Sequence, residues 1–306
     1  MSKYQLIVIL GPTASGKTTL ATALASQMEG EIISADSRQV YRGMTIGTGK
    51  DLEDYECCGR SIPYHLIDIV DPGYEYNVFE FQKDFLQAYN TIVVRKKQPI
   101  LCGGTGMYLD SVLEQYPLIK VSENPVLRKK IVDYSDSELI QLLSSLKEVH
   151  NTTDLQNRER LIRAIEIANY EKEHHSKIEF PFIERIVFGI SLDRNIIRSR
   201  ISQRLKARVE QGMIEEVEGL LQTVSPEKLI FYGLEYKYLT LYVTGEISKE
   251  EMYSKLETAI HQFAKRQMTW FRRMEKRGTK IHWIDGLRPI EQKLKIIKGF
   301  VTTQNT

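Results

Sequence analysis

Cysteine is scarce in this chain, with three residues in 306: Cys57, Cys58 and Cys102. Two are adjacent and none forms a C-x-x-C pair, so neither a disulfide framework nor a cysteine-built metal centre is expected. Long apolar runs are missing as well. None approaches the roughly 20 residues that a bilayer-crossing helix needs. The apolar run near the N-terminus is short and leads into a glycine loop instead of a small-residue cleavage site. It does not read as a secretion signal, and a cytoplasmic protein is expected. No charge of one sign dominates: Lys+Arg 42 against Asp+Glu 40 gives a net +2. Net charge therefore argues neither for nor against nucleic acid. Internal repeats and low-complexity tracts are absent. What remains is an ordinary globular composition, long enough for one large domain or two modest ones.

The run Tyr4-Gln5-Leu6-Ile7-Val8-Ile9-Leu10 leads directly into Gly11-Pro12-Thr13-Ala14-Ser15-Gly16-Lys17-Thr18. This is the phosphate-binding loop pattern G-x-x-x-x-G-K-[ST], set between a β-rich segment and the helical run Thr18–Ala25, the context that the motif requires. Gly11 and Gly16 let the backbone curl until successive N–H groups point into one concavity. The helix start adds free donors and the positive end of its dipole. Lys17 supplies a mobile full charge, and the Thr18 hydroxyl suits a magnesium ion. The loop predicts a ligand carrying a di- or triphosphate without saying which.

Glu31–Asp36 reads as a second strand and Tyr64–Val70 as a third, with a loop over residues 43–63. Val78–Lys97 places Phe81, Phe85, Ala88 and Ile92 at helical spacing. Pro99–Cys102 is a short buried strand ending in Gly103-Gly104-Thr105-Gly106. Alternating strands and helices predict a parallel α/β sheet, whose ligands sit beyond the carboxyl ends of the strands. Asp36 and Thr105 fall on that rim. Residues 124–175 carry charged helical patterns without a convincing strand and read as a helical insertion. A buried strand over Glu184–Leu192 follows, then helices over about 195–211, 213–223 and 248–277. Lys280–Ile284 is a last strand, and a charged helix and frayed tail begin near 287. The expected organisation is a sheet core over 1–118, an insertion over 119–182 and a core completion with basic helices over 183–306.

Charge is divided unevenly along this plan. Residues 1–150 hold 15 Lys+Arg and 19 Asp+Glu, and the remainder hold 27 and 21. A basic second half suggests a polyanion partner, although salt-bridged helix faces would look the same. Arg198, Arg200, Arg204, Lys206 and Arg208 make one late helix basic; Lys265, Arg266, Arg272 and Arg273 do so for another. His174-His175 is not read as a metal pair, because adjacent helical residues face apart.

Three kinds of phosphate-loop enzyme compete. A switch GTPase needs N-K-x-D to read its base, and the chain has none. An ATPase needs a strand-end Asp for magnesium; Asp68 and Asp71 are loose candidates, and Asp71-Pro72-Gly73 reads better as a turn. A small group-transfer enzyme places a carboxylate beside the phosphates, where it can take a proton from an attacking hydroxyl or amine. Asp36 stands there.

Five blocks in order then carry a resemblance: Gly11–Thr18, Ile32–Met44, Gly103–Tyr108, Asn157–Glu166 and Ala264–Arg272. Over roughly residues 4–285 the chain resembles the bacterial tRNA dimethylallyltransferase family. The resemblance implies a phosphate-loop α/β core with a helical insertion, and transfer of a dimethylallyl group to N6 of the adenine 3′-adjacent to the anticodon (position 37). It implies that Gly11, Pro12, Thr13, Ala14, Ser15, Gly16, Lys17 and Thr18 hold the diphosphate of dimethylallyl diphosphate, with Mg2+ near Thr18. Asp36 would take or orient the N6 proton, Lys17 would stabilise the departing diphosphate, and Thr105 would position the reacting groups. Asp36, Ser37, Arg38, Gln39, Thr105, Arg128, Glu159, Arg160 and Arg163 would meet the anticodon stem-loop. Arg160 and Arg163, three apart, share a helix face that can touch successive phosphates, with Glu159 and Glu166 as the alternative partners. The target base would have to leave its stack. A monomer is expected. The zinc finger of eukaryotic relatives is not expected, since no cysteine follows Cys102.

One departure stands out. Many members carry an arginine beside a Gly-Tyr pair after the insertion, thought to touch the diphosphate. Here Ile230-Phe231-Tyr232-Gly233-Leu234-Glu235-Tyr236-Lys237 keeps the glycine but has no arginine, which leaves Lys237 or an arginine from another helix to substitute. The rival readings are an isopentenyltransferase acting on free adenine nucleotides, a small-molecule kinase and a catalytically idle RNA-binding protein.

Overall fold

The computed structural model describes residues 4–146, 157–173 and 180–302. The His174-His175 pair lies outside the described residues. Two compact units are formed, one by Met1–Tyr116 with Phe182–Thr306 and the other by Pro117–Pro181.

In the first unit β1 (Leu6–Leu10) leads to α1 (Lys17–Met28) and β2 (Gly30–Ala35). A small hairpin, β3 (Glu56–Cys57) with β4 (Arg60–Ser61), precedes β5 (Tyr64–His65), α2 (Val78–Val94), β6 (Gln98–Gly103) and α3 (Gly106–Leu113). The second unit holds α4 (Pro125–Lys130), α5 (Asp136–Leu146) and α6 (Arg158–Glu173). The chain continues with β7 (Arg185–Ser191), α7 (Arg194–Glu210), α8 (Met213–Leu220), α9 (Pro226–Phe231), α10 (Leu234–Val243), α11 (Lys249–Lys276), β8 (Ile281–Asp285) and α12 (Ile290–Thr302).

Every residue of β1 is buried. An unbroken apolar strand suits a parallel sheet covered on both faces, and six strands run parallel in the order β5-β2-β6-β1-β7-β8. β1 lies between β6 and β7, so the chain leaves it on one side and returns on the other. Such a switch point opens a crevice beyond the strand ends. Ile7 and Ile9 pack with Leu20 and Leu24 of α1 and with Leu294 and Ile297 of α12. On a strand alternate residues face opposite ways, and α2 packs against β2 and β6. Its start is set by a capping box in which the Glu80 N–H donates to Asn77 Oδ1 at 3.1 Å and the Asn77 N–H to Glu80 at 3.2 Å.

Helices α7–α11 build a separate apolar core with Val40, Tyr41 and Met44, including Ile201, Leu205, Met213, Tyr236 and Leu256. The long α11 buries Met252, Leu256, Ala259, Ile260, Ala264, Gln267, Phe271 and Met274, a stripe at three- and four-residue spacing. One polar residue, Gln267, interrupts it. The Pro117–Pro181 unit has its own core of Ile131, Leu139, Leu143, Leu161, Ile165 and neighbours.

The structure differs from the sequence reading in a few elements. The third strand is confined to Tyr64–His65, because Leu66 and Asp68 take left-handed backbone angles, φ 63° and 54°. Leu66 and Ile67 are nevertheless buried; an apolar run packs as well in a turn as in a strand. The expected loop over 43–63 contains a 3-10 turn, Leu52–Tyr55, and the β3–β4 hairpin. Helices α3, α9 and α10 are too short for their periodicity to stand out.

Candidate active site

β1 ends at Leu10 and α1 begins at Lys17, so the glycine loop spans the switch point. Gly16, with φ 84°, caps α1 in the left-handed region that glycine adopts without strain. Ala14 shares that region at φ 62°. The Ser15 N–H donates to Pro12 O at 3.3 Å, and the first helical bond runs from the Leu20 N–H to Gly16 O at 3.2 Å. The N–H groups of Gly16, Lys17 and Thr18 meet no acceptor among the described residues, as expected where a helix opens. They are free for an anion.

The Thr13 N–H is not free. It donates to Gln267 Oε1 at 2.8 Å, and Gln267 Nε2 donates to Gly104 O at 2.9 Å. One buried amide thus ties the phosphate loop to the backbone just beyond β6. A Cβ on Gly104 would lie 2.4 Å from Gln267 Nε2, so the glycine is what lets α11 approach. Sequence reasoning passed over Gln267; the signal was a polar residue at a position whose helical spacing is otherwise apolar.

Asp36 follows β2 directly. One carboxylate oxygen accepts the Arg38 N–H at 3.0 Å, the Asx-turn arrangement, and its other oxygen meets no donor among the described residues. Thr105 N–H donates to Ala35 O at 3.2 Å, and Thr105 Oγ1 accepts the Ser37 N–H at 3.1 Å. Although Thr105 begins α3, its hydroxyl does not cap that helix. It holds the Asp36–Ser37 turn instead.

Lys17, Thr18, Asp36, Arg38, Arg204 and Gln267 line one small polar cavity of about 60 Å³. Burial lowers the Lys17 ammonium from its ordinary value, and Asp36 opposes that shift while Arg204 and Arg38 reinforce it. Arg38 is ion-paired with Glu235. Burial acts to lower Arg38, but Glu235 and Asp36 outweigh it and the net shift is upward. Cys102, which also lines the cavity, is pushed up to about 12 by burial. Its thiol stays protonated and offers no nucleophile.

Gln39 is committed within the protein: Oε1 accepts from Ser34 Oγ at 3.0 Å and Nε2 donates to Gly49 O at 3.2 Å. Asp68 pairs with the buried Lys50, and Asp71 with Arg42 at 2.9 Å. Neither lines the cavity, so neither serves as a strand-end magnesium ligand there. Among the described residues no group of three or more His, Cys, Asp or Glu could cage a metal. Magnesium needs no such cage, since it keeps waters and binds through one or two protein groups plus substrate phosphates. The Thr18 hydroxyl and Asp36 carboxylate in one cavity fit that donor set.

In the Pro117–Pro181 unit, Arg128 and Arg163 converge on Glu166. Arg128 donates through two nitrogens at 2.7 and 3.2 Å, and Arg163 donates at 2.9 Å. The Asn124 N–H adds a bond at 2.9 Å. Burial works to raise the Glu166 pKa, but these donors outweigh it and hold it down at about 2. Arg163 thus has the intrahelical partner that the sequence offered as its alternative. Glu159 and Arg160 are exposed on α6, with the Arg160 N–H capped by Asn157 Oδ1 at 3.0 Å.

Comparison with known proteins agrees with this geometry. The family model described as IPP transferase matches residues 39–274, and one described as isopentenyl transferase matches residues 4–59. The chain is 58% identical over 307 residues to tRNA dimethylallyltransferase 2 of Phocaeicola vulgatus, with all of both chains covered. The tRNA isopentenylpyrophosphate transferase structure from Bacillus halodurans superimposes with a TM-score of 0.71 at 31% identity, covering 98% of this chain and 96% of that one. A eukaryotic dimethylallyltransferase described as acting on tRNA shares the fold, with a TM-score of 0.76 at 22% identity over 97% of this chain and 79% of its own. With a phosphate loop, a strand-end carboxylate and near-complete coverage by such relatives, the chain belongs to the IPP transferase family, the tRNA dimethylallyltransferases.

Proposed function

We propose that this protein transfers a dimethylallyl group from dimethylallyl diphosphate to N6 of the adenine 3′-adjacent to the anticodon of tRNA. The supporting observation is that the phosphate-loop lysine and the strand-end carboxylate line the same cavity. Leaving group and acceptor therefore have their stabilising groups within one small space.

The free amides of Gly16, Lys17 and Thr18, with the Lys17 ammonium, grip the diphosphate. The allylic C–O bond breaks and its electron pair leaves with the diphosphate, so charge grows where those donors already point. The adenine N6 lone pair forms the new C–N bond, and the N6 proton passes to the free oxygen of Asp36. Thr105 acts by holding the Asp36–Ser37 turn. Magnesium, held by the Thr18 hydroxyl with Asp36 nearby, would supply further positive charge to the leaving oxygens. Ser37 and Arg38, on the turn directly after Asp36, would meet the extruded base, and the exposed Arg160 would offer its charge to backbone phosphate.

The test is incubation with magnesium, labelled dimethylallyl diphosphate and, in turn, unmodified tRNA, AMP or no acceptor. Label at the anticodon-adjacent adenine is expected. Label in AMP alone would move the assignment to a free-nucleotide enzyme, and ATP-dependent phosphorylation without prenyl transfer would make it a kinase.

A further inference from the structure

Cys57 and Cys58 take no part in the reaction proposed above, and neither lines the cavity that holds Cys102. They sit at the tip of the β3–β4 hairpin, which pairs Cys57 with Arg60 and leaves Cys58 and Gly59 as a two-residue turn. Both turn residues have positive φ, 53° at Cys58 and 73° at Gly59. Such a turn favours asparagine, aspartate or glycine at its first position. A cysteine there is held in a backbone region that side chains other than glycine enter at a cost, and such outliers gather at ligand sites and switches.

The turn brings the two sulfurs together. Neighbouring residues of a flat strand would point to opposite faces, whereas Cys57 Sγ and Cys58 Sγ lie 3.6 Å apart with both thiols free. Cys57 is half-buried against the apolar cluster that contains Leu20, Tyr55 and Ile62, and Cys58 is exposed. One sulfur is therefore fixed by packing and the other is open to a reagent in solution. Contact with Cys57 pushes the Cys58 thiol up, and Arg60 opposes that shift.

Three chemistries use a pair of thiols, and the geometry separates them. A disulfide sets its sulfurs about 2.05 Å apart and its Cα atoms usually about 4.4–6.8 Å apart, but adjacent residues hold their Cα atoms at about 3.8 Å. Zinc takes at least three protein ligands, and among the described residues no group of three or more His, Cys, Asp or Glu is placed to hold a metal. A centre that needs only two sulfurs and brings its own third substituent fits. Two thiolate bonds of about 2.3 Å, at an angle between about 100° and tetrahedral, set the sulfurs roughly 3.5–3.8 Å apart.

We propose that Cys57 and Cys58 form a dithiol site for a monosubstituted trivalent arsenical, R–As(OH)2 in water. Two As–S bonds form and two As–O bonds break. Each thiol proton leaves with a hydroxide as water, so no oxidant or reductant is needed. The turn presents both sulfurs at the chelating distance, and the second bond closes without reordering the chain.

The test is the binding of phenylarsine oxide to the reduced full chain in excess glutathione, a monothiol that strips singly bound arsenic, followed by intact mass. One arsenical per chain is expected to persist and to leave when 2,3-dimercaptopropanol is added. Cys57→Ser and Cys58→Ser should each weaken the apparent affinity about a hundredfold or more, because the second bond gains from effective concentration. Melting temperatures would confirm that both variants fold, and peptide mapping should place the adduct on residues 57–58. An adduct lost to glutathione, mapped to Cys102, or bound within about twofold as tightly by either variant would overturn the proposal. So would the loss of two thiols with no arsenic in the mass, since the pair would then have closed to a disulfide.

Discussion

In the proposed reaction Asp36 takes the N6 proton with half of its carboxylate already engaged by the Arg38 N–H. That bond orients the group and leaves the other oxygen for substrate. Asp36→Ala should lower turnover of bound tRNA about 10²- to 10⁴-fold with little change in tRNA affinity, measured by single-turnover kinetics beside filter binding. A collapse of binding with turnover intact would remove Asp36 from that role. Lys17→Ala should instead raise the KM for dimethylallyl diphosphate and spare RNA binding. Gln267 contacts no reacting group but bridges the Thr13 N–H and Gly104 O. Gln267→Ala leaves both partners unsatisfied, at a cost of about 1–3 kcal/mol in stability. It should also loosen diphosphate binding, and a melting curve with an isothermal titration would check both effects.

At the level of elements, β1, the glycine loop and α1 form a rigid cradle because β1 is buried at every position and α1 packs Leu20 and Leu24 on the sheet. α11 is aligned across α3 by the buried Asp110 carboxylate, which accepts from Trp270 Nε1 at 3.1 Å and pairs with Arg277. That crossing delivers Gln267 to the loop. In the Pro117–Pro181 unit the Glu166 cluster has a definite pH signature. Its folded pKa of about 2 lies below the ordinary glutamate value. The stabilisation is therefore fully present above about pH 4.5 and is lost as pH falls towards 2, amounting to at most about 3 kcal/mol. Thermal melts between those limits should show the loss, and Glu166→Gln should flatten the dependence while lowering stability at neutral pH. An unchanged acid profile in that variant would mean that another group carries it.

For the whole molecule, the basic second half predicts tRNA binding that weakens linearly in log K with log salt. Arg160→Ala should weaken binding across tRNA sequences and reduce the salt slope by about one. Arg163→Ala should affect stability more than the slope, because Arg163 already serves Glu166. Slopes measured by filter binding at several salt concentrations separate the two, and equal effects would contradict that division of roles.

The phosphate loop, the strand-end position of Asp36, the parallel sheet and a helical insertion were all readable in the chain. Each is written in residues close in sequence: a glycine spacing, an unbroken apolar strand, a change of periodicity. The contacts that decide which side chains are available were not. Gln267 meets Thr13 from 254 residues away, Arg204 meets it from 191 and Arg38 meets Glu235 across 197. Local pattern cannot report such meetings, because they depend on how the helices α7–α11 pack over the strand ends. Sequence alone therefore determined which chemistry the chain carries and where it begins. Tertiary structure decided which charges are spent on carboxylates, Arg38, Arg208, Arg128 and Arg163 among them, and which, Lys17 and Arg204, face the cavity with no ion-pair partner among the described residues.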